Sequence, residues 1–128
     1  MDKKEQAVQW KHRGCNCAQA VLCAYADETG YSEEQLKKIG AAFGAGMGNM
    51  EATCGALCGA AAVLGLLRYE GKPVARDAAA LHRMFTETCG ASLCKDLKGR
   101  DTGKAVCSCD DCVRNAVAAL ESIKEGWS

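Results

Sequence analysis

Cys54-Gly55-Ala56-Leu57-Cys58-Gly59-Ala60-Ala61-Ala62-Val63-Leu64-Gly65-Leu66-Leu67 is the longest apolar run of the chain, and its reading decides the fold class. Alanine and leucine dominate it and β-branched residues are scarce, which favours helix over strand. Arg68 interrupts the run short of the about twenty apolar residues that a membrane-spanning helix needs. The stretch therefore reads as a buried helix from Cys54 to about Tyr69, with Thr53 as its cap. Its glycines and alanines let neighbours approach closely, as suits the central axis of a bundle.

Outward from this helix the chain keeps the same character. Lys3 to His12 is an amphipathic helix whose basic end, Lys11, His12 and Arg13, suits a helix C-terminus. Asn16 with Gln19 three residues later forms a capping-box pattern, opening a helix through Val21, Leu22 and Tyr25 to about Asp27. Ser32 with Gln35 is a second such pattern, for a short helix to about Phe43. Gly44-Ala45-Gly46-Met47-Gly48-Asn49 reads as a loop in which the backbone could press against a bulky inorganic group. It lacks the third glycine of a dinucleotide fingerprint, the preceding strand, and the lysine of a P-loop.

After a turn at Gly71-Lys72-Pro73, Val74 to about Glu87 carries Ala78, Leu81, Met84 and Phe85 at helical spacing. Thr88 to about Ala105 reads as irregular. Ser108 and Asp111 start a last helix bearing Val113, Ala116, Val117, Leu120 and Ile123. The expectation is an all-α, single-domain bundle of about five helices over residues 1–128, with a glycine-rich loop and cysteines at helix starts.

Composition narrows the chemistry. Sixteen basic and sixteen acidic residues cancel without forming a block, which argues against nucleic acid and against a polybasic membrane anchor. Ten cysteines occur among 128 residues, with only two histidines. The sequence opens Met-Asp-Lys-Lys-Glu, without the pattern of an export signal, so a reducing, cytoplasmic setting is expected. There, grouped thiols are metal ligands or redox groups rather than structural disulfides.

The cysteines fall into four groups: Cys15, Cys17 and Cys23; Cys54 and Cys58; Cys89 and Cys94; Cys107, Cys109 and Cys112. Asn16, Thr53 and Ser108 each precede a cysteine, placing Cys17, Cys54 and Cys109 at helix N-termini, where free N–H donors favour thiolate. Cys54 with Cys58, or Cys109 with Cys112, could share a metal or close a reversible disulfide. Cys23, inside its helix, reads as a core residue. His82 reads as a helix-surface residue, Asp110 and Asp111 as helix-start acids, and Trp10 and Trp127 as packing groups. Met47 and Met50 read as core fillers that could also touch a cofactor.

Asn16-Cys17-Ala18-Gln19-Ala20-Val21, Gly46-Met47-Gly48, Thr53-Cys54-Gly55-Ala56-Leu57-Cys58-Gly59, Gly90-Ala91-Ser92-Leu93-Cys94-Lys95-Asp96-Leu97 and Cys112-Val113 resemble, in order, the redox-active family named C_GCAxxG_C_C after its C…CGAxxG…C…C pattern. The resemblance implies that Cys17, Cys54, Cys94 and Cys112 are signature cysteines that could ligate a metal. Cys15, Cys58, Cys89, Cys107 and Cys109 are further candidate ligands, which could hold a second centre or enlarge the first, and Gly46, Met47, Gly48 and Gly55 are candidate cofactor contacts. The family is also similar to the cluster-bearing part of split-Soret cytochromes, which implies an iron–sulfur centre. No Cys-x-x-Cys-His is present, so covalently attached haem c is not expected.

Three functions fit these residues. The leading one is an iron–sulfur electron-transfer protein, since soft all-sulfur ligation suits such centres. The runner-up is a thiol–disulfide redox enzyme, which here lacks a thioredoxin-like βαβ setting. A zinc-thiolate structural protein ranks third. The expected partner is a redox protein or a small-molecule oxidant or reductant, and a homodimer is compatible with the chain.

Overall fold

Side-chain caps open the helices at most of the places where the sequence offers them. In the computed structural model, which describes residues 2–127, Asp2 accepts the Glu5 N–H at 3.0 Å and starts α1, Lys3–His12. Asn16 accepts the Gln19 N–H at 2.8 Å while its own N–H donates to the Gln19 side chain, a complete capping box for α2, Cys17–Ala24. Ser32 and Gln35 repeat this arrangement at α4, Glu33–Gly40. Between them the second helix breaks at Tyr25 and restarts as the single turn α3, Ala26–Thr29.

The glycine-rich segment is a wide turn over Gly46–Met50. It leads to α5, Gly55–Arg68, and then to α6, Ala75–Cys89. The stretch expected to be irregular contains a short helix, α7, Cys94–Lys98. Ser108 caps α8, Cys109–Glu125, by accepting the Asp111 N–H at 3.1 Å. The described residues thus form eight α-helices and one wide turn, all-α as expected but more finely divided than five helices. None of these helices is long and apolar enough to cross a membrane.

Thr53 does not cap α5. Cys54 occupies the cap position, and no side chain caps the helix there. Instead Thr53 forms an antiparallel bridge with Leu93, in which the Cys54 N–H donates to Ser92 O (2.8 Å) and the Cys94 N–H to Ala52 O (3.0 Å). This bridge holds Cys54 and Cys94 side by side although forty residues separate them.

The most enclosed helix is α2, not α5. Six of its eight residues are buried, and it packs against α1, α4, α5 and α8. Gly59 lets α5 cross it closely, since a Cβ there would stand 2.7 Å from the Ala18 carbonyl oxygen. Leu22, Leu64, Leu81, Phe85, Val113, Val117 and Leu120 fill the core around this crossing. Trp10 and Trp127 pack on its edge, and His82 lies on the surface of α6.

Candidate metal centre

Four helices and the bridge send their cysteine-bearing ends to one region. Cys17 begins α2, Cys54 precedes α5, Cys94 begins α7 and Cys109 begins α8. All four line a cavity of about 240 Å³, together with Cys15, Lys11, Lys98, Asn16, Ala45, Met50 and Gly55. Every soft donor in its wall is sulfur, and its only ionic groups besides the thiols are two lysines. A larger hollow of about 770 Å³, beside Arg68, Pro73, Asp77 and Trp127, contains no cysteine and offers no comparable chemistry.

Two of the contacts among the thiols join separate segments. Cys17 pairs with Cys109, and Cys54 with Cys112. In each pair one sulfur donates and the other becomes thiolate. The Cys17 thiol donates to Cys109, and Lys98 adds a hydrogen bond and its charge, so Cys109 is held well below the ordinary thiol range despite burial. The Cys112 thiol does the same for Cys54, helped by the N–H groups of Ala56 and Leu57 at the start of α5. Cys17 and Cys112 are correspondingly pushed up. Backbone donors therefore act on Cys54 as the sequence suggests, whereas Cys109 depends on neighbouring side chains.

Lys98 is the cation of this site. Half-buried, its Nζ donates to Cys112 Sγ at 3.4 Å and reaches Cys109 as well. Burial would lower its pKa, but the surrounding thiolates outweigh burial and raise it, so it stays charged. Lys11, the second lysine of the wall, also lies 3.8 Å from Asp110, whose other oxygen accepts from the His12 ring at 2.8 Å.

The remaining cysteines separate into different surroundings. Cys89, Cys107 and Cys112 bring their sulfurs within 4.8 Å of one another, a geometry that could hold a metal ion. It is the one group of three with that geometry among the described residues. Cys15 lies at the cavity wall within reach of buried Cys23, whose pKa is pushed up to about 11 chiefly by burial. Cys58 points back at Thr53 O (3.9 Å) and is also raised by burial. Cys94, raised by burial too, lines the cavity beside Cys54.

Of the candidate cofactor contacts, Gly55 lines the cavity. Gly46 acts through a neighbour: at φ +58 it lies so close to Cys94 that a Cβ would meet the Cys94 Cβ at 2.6 Å. Met47 and Gly48 are not part of the wall, and Met47 is 54 % exposed, so it fills no core gap. Met50 and Ala45 line the cavity in their place. Ala45, Met47 and Met50 all have positive φ, a costly conformation for residues with side chains, maintained by the tight turn beside the cavity. Arg100 ties this turn to the end of α7, donating to Asn49 O (3.1 Å) and pairing with Glu51 (2.7 Å).

The family model described as "Putative redox-active protein (C_GCAxxG_C_C)" matches residues 15–123, most of the chain. The chain belongs to this family. Within the C_GCAxxG_C_C match lie all ten cysteines, the glycine turn and the bridge that joins Cys54 to Cys94. No curated protein and no solved structure matches the chain. Sequence reasoning placed Cys17, Cys54 and Cys94 together with Cys112, and three of these four do line the cavity; Cys15 and Cys109 line it as well, while Cys112 contacts Cys54 and is not part of the wall. It missed Lys98 and Asn115 as partners of the thiols. The one hint of Lys98 was its position a turn after Cys94.

Proposed function

We propose that this protein is a redox protein that carries an iron–sulfur cluster in the cysteine-lined cavity, with Cys17, Cys54, Cys94 and Cys109 as ligands. The observation that carries this reading is the spread of the cavity's sulfurs. Five cysteines from four segments line it, Cys15 beside Cys17 in the first of them, yet no three converge within 4.8 Å as they would on one ion. Thiolates that bind different irons of one polynuclear core stand farther apart, so a spread set of soft donors suits a cluster better than a single zinc. Bound there, such a cluster would supply one-electron redox chemistry.

The chain's own residues serve that purpose in identifiable ways. Lys98 and Lys11 offset the negative charge that four thiolates bring. The N–H groups at the start of α5 add donors to Cys54. The bridge between Thr53 and Leu93 fixes two ligands relative to each other, and Gly46 allows the glycine turn to close over Cys94. Electrons would pass to a redox protein or a small oxidant, in a reducing compartment that keeps the thiols free.

The runner-up is thiol–disulfide chemistry, favoured by one observation. Cys17 with Cys109, and Cys54 with Cys112, are each a thiolate beside a thiol, the arrangement that starts disulfide exchange. Purification without oxygen followed by iron and acid-labile sulfide analysis separates the two. A brown protein with iron and sulfide supports the cluster. Protein without sulfide whose thiols oxidise and reduce reversibly in pairs replaces it with the runner-up.

A further inference from the structure

We propose that Cys89, Cys107 and Cys112 form a second, mononuclear site for a soft closed-shell cation of the zinc type, distinct from the cavity. The inference goes beyond the cluster reading and does not depend on it. A Zn–S bond of about 2.3 Å in a tetrahedron sets neighbouring sulfurs about 3.8 Å apart. The three sulfurs here all lie within 4.8 Å of one another, so a small inward closure brings them onto one ion. The cavity cysteines lack this convergence. The two sets therefore suit different guests.

Donors from two residues reach all three sulfurs. Asn115 Nδ2 donates to Cys89 Sγ at 3.3 Å and lies 3.9 Å from Cys107 Sγ. A metal-bound thiolate accepts such donors well, while a neutral thiol is a weak acceptor. Lys98 Nζ, at 3.4 Å from Cys112 Sγ, supplies a positive charge on the other side. Cys89 and Cys112 are 3 % and 0 % exposed, so three thiolates without a cation would be badly desolvated there.

Cys107 is half-buried, which leaves the fourth coordination position open to water or a small exogenous thiol. The ligands come from the end of α6, the segment before α8 and the second turn of α8. Binding releases the thiol protons and ties these three pieces together.

The test uses full-length protein prepared without oxygen, with iron, sulfide and zinc counted together and zinc affinity measured by competition with a chromophoric chelator. Wild type is expected to hold one zinc in addition to whatever the cavity holds. Cys89→Ser with Cys107→Ser should lose the zinc and keep iron and sulfide. Cys17→Ser with Cys94→Ser should do the reverse. Asn115→Ala, which removes a donor and no ligand, should weaken zinc about 10- to 100-fold. Its circular dichroism separates this effect from loss of fold.

The proposal is overturned if wild type takes up no zinc, if zinc departs with the cavity cysteines instead of the triad, or if folded Asn115→Ala binds zinc as wild type does. Recovery of a Cys89–Cys107 disulfide from anaerobic, metal-exposed protein also overturns it. Zinc at the triad with no iron or sulfide in wild type would refute the cluster reading and leave this one standing.

Discussion

Replacing Lys98 by methionine removes the one cation that touches thiols of both sites while keeping most of the length and apolar stem of the side chain. Nζ lies 3.4 Å from Cys112 Sγ. At that distance a full charge pair is worth about 1 kcal/mol in water and about 5 kcal/mol at an effective dielectric constant near 20. Lys98 is half-buried, so solvent and salt bring the value toward the lower end, about 1–2 kcal/mol for each thiolate. Its loss moves the Cys109 and Cys54 thiolates, both lowered in part by Lys98, upward in pKa. For a one-electron centre, losing a nearby positive charge disfavours the more negative reduced state, and about 1.4 kcal/mol corresponds to a potential lower by about 60 mV. Potentiometry on the anaerobic protein reads this shift, and Lys98→Arg should leave the potential near that of wild type. An unchanged potential in Lys98→Met, with cluster content and helix content intact, would refute the charge argument. An equal fall in Lys98→Arg would show that shape rather than charge sets the potential.

Gly59→Ala places a Cβ 2.7 Å from the Ala18 carbonyl oxygen, a backbone atom that cannot step aside. The gain in helix propensity, about 1 kcal/mol, is outweighed by overpacking of about 1–3 kcal/mol, so thermal melting should fall by a few degrees and cluster content should drop as Cys17 shifts; a higher melting temperature refutes this. Thr53→Val should change stability by less than about 0.5 kcal/mol, because the Thr53 hydroxyl caps nothing and only its backbone is used; a loss of about 1 kcal/mol would restore the capping role. Asn16→Asp keeps the acceptor for Gln19 but loses the side-chain amide that donates to Gly40 O and Ala41 O at 3.3 Å, and should cost about 1–3 kcal/mol in denaturant unfolding, whereas an unchanged midpoint would show those two bonds to be dispensable. In metal-free, reduced protein, Cys54 and Cys109 are depressed, so their stabilisation is complete above the unfolded thiol value near 8.5 and is lost as pH falls through their folded values. Cys17 and Cys112 are raised, so stability also falls as pH climbs above about 8.5, where the unfolded chain ionises and the folded one resists. Unfolding midpoints should therefore peak near pH 8, and a monotonic profile across that range contradicts the paired thiol–thiolate assignment.

Local chemistry was legible in the sequence wherever cause and effect lie within a few residues. The boxes at Asn16–Gln19 and Ser32–Gln35 and the Ser108 cap all form as their side chains dictate, because an N-cap needs only its own first turn. Thr53 has the same local appearance and fails, because a partner forty residues away takes its backbone. That same pairing makes Cys94–Lys98 a helix too short for periodicity to reveal.

The sorting of the cysteines has the same origin. Cys109 and Cys112 are three residues apart on α8, close to one face, and spacing alone joins them into a single pair. In the folded chain the first borders the cavity with Cys17, while the second contacts Cys54 and completes the triad with Cys89 and Cys107. A rotation of α8 by part of a turn would exchange those surroundings. What fixes the rotation is apolar and distant: Val113, Ala116, Val117 and Leu120 seated in the core around the close crossing of α2 and α5. The identity of the sulfur donors is thus written in the cysteines, but their assignment to one site or the other is written in the small and branched residues that decide how the helices meet.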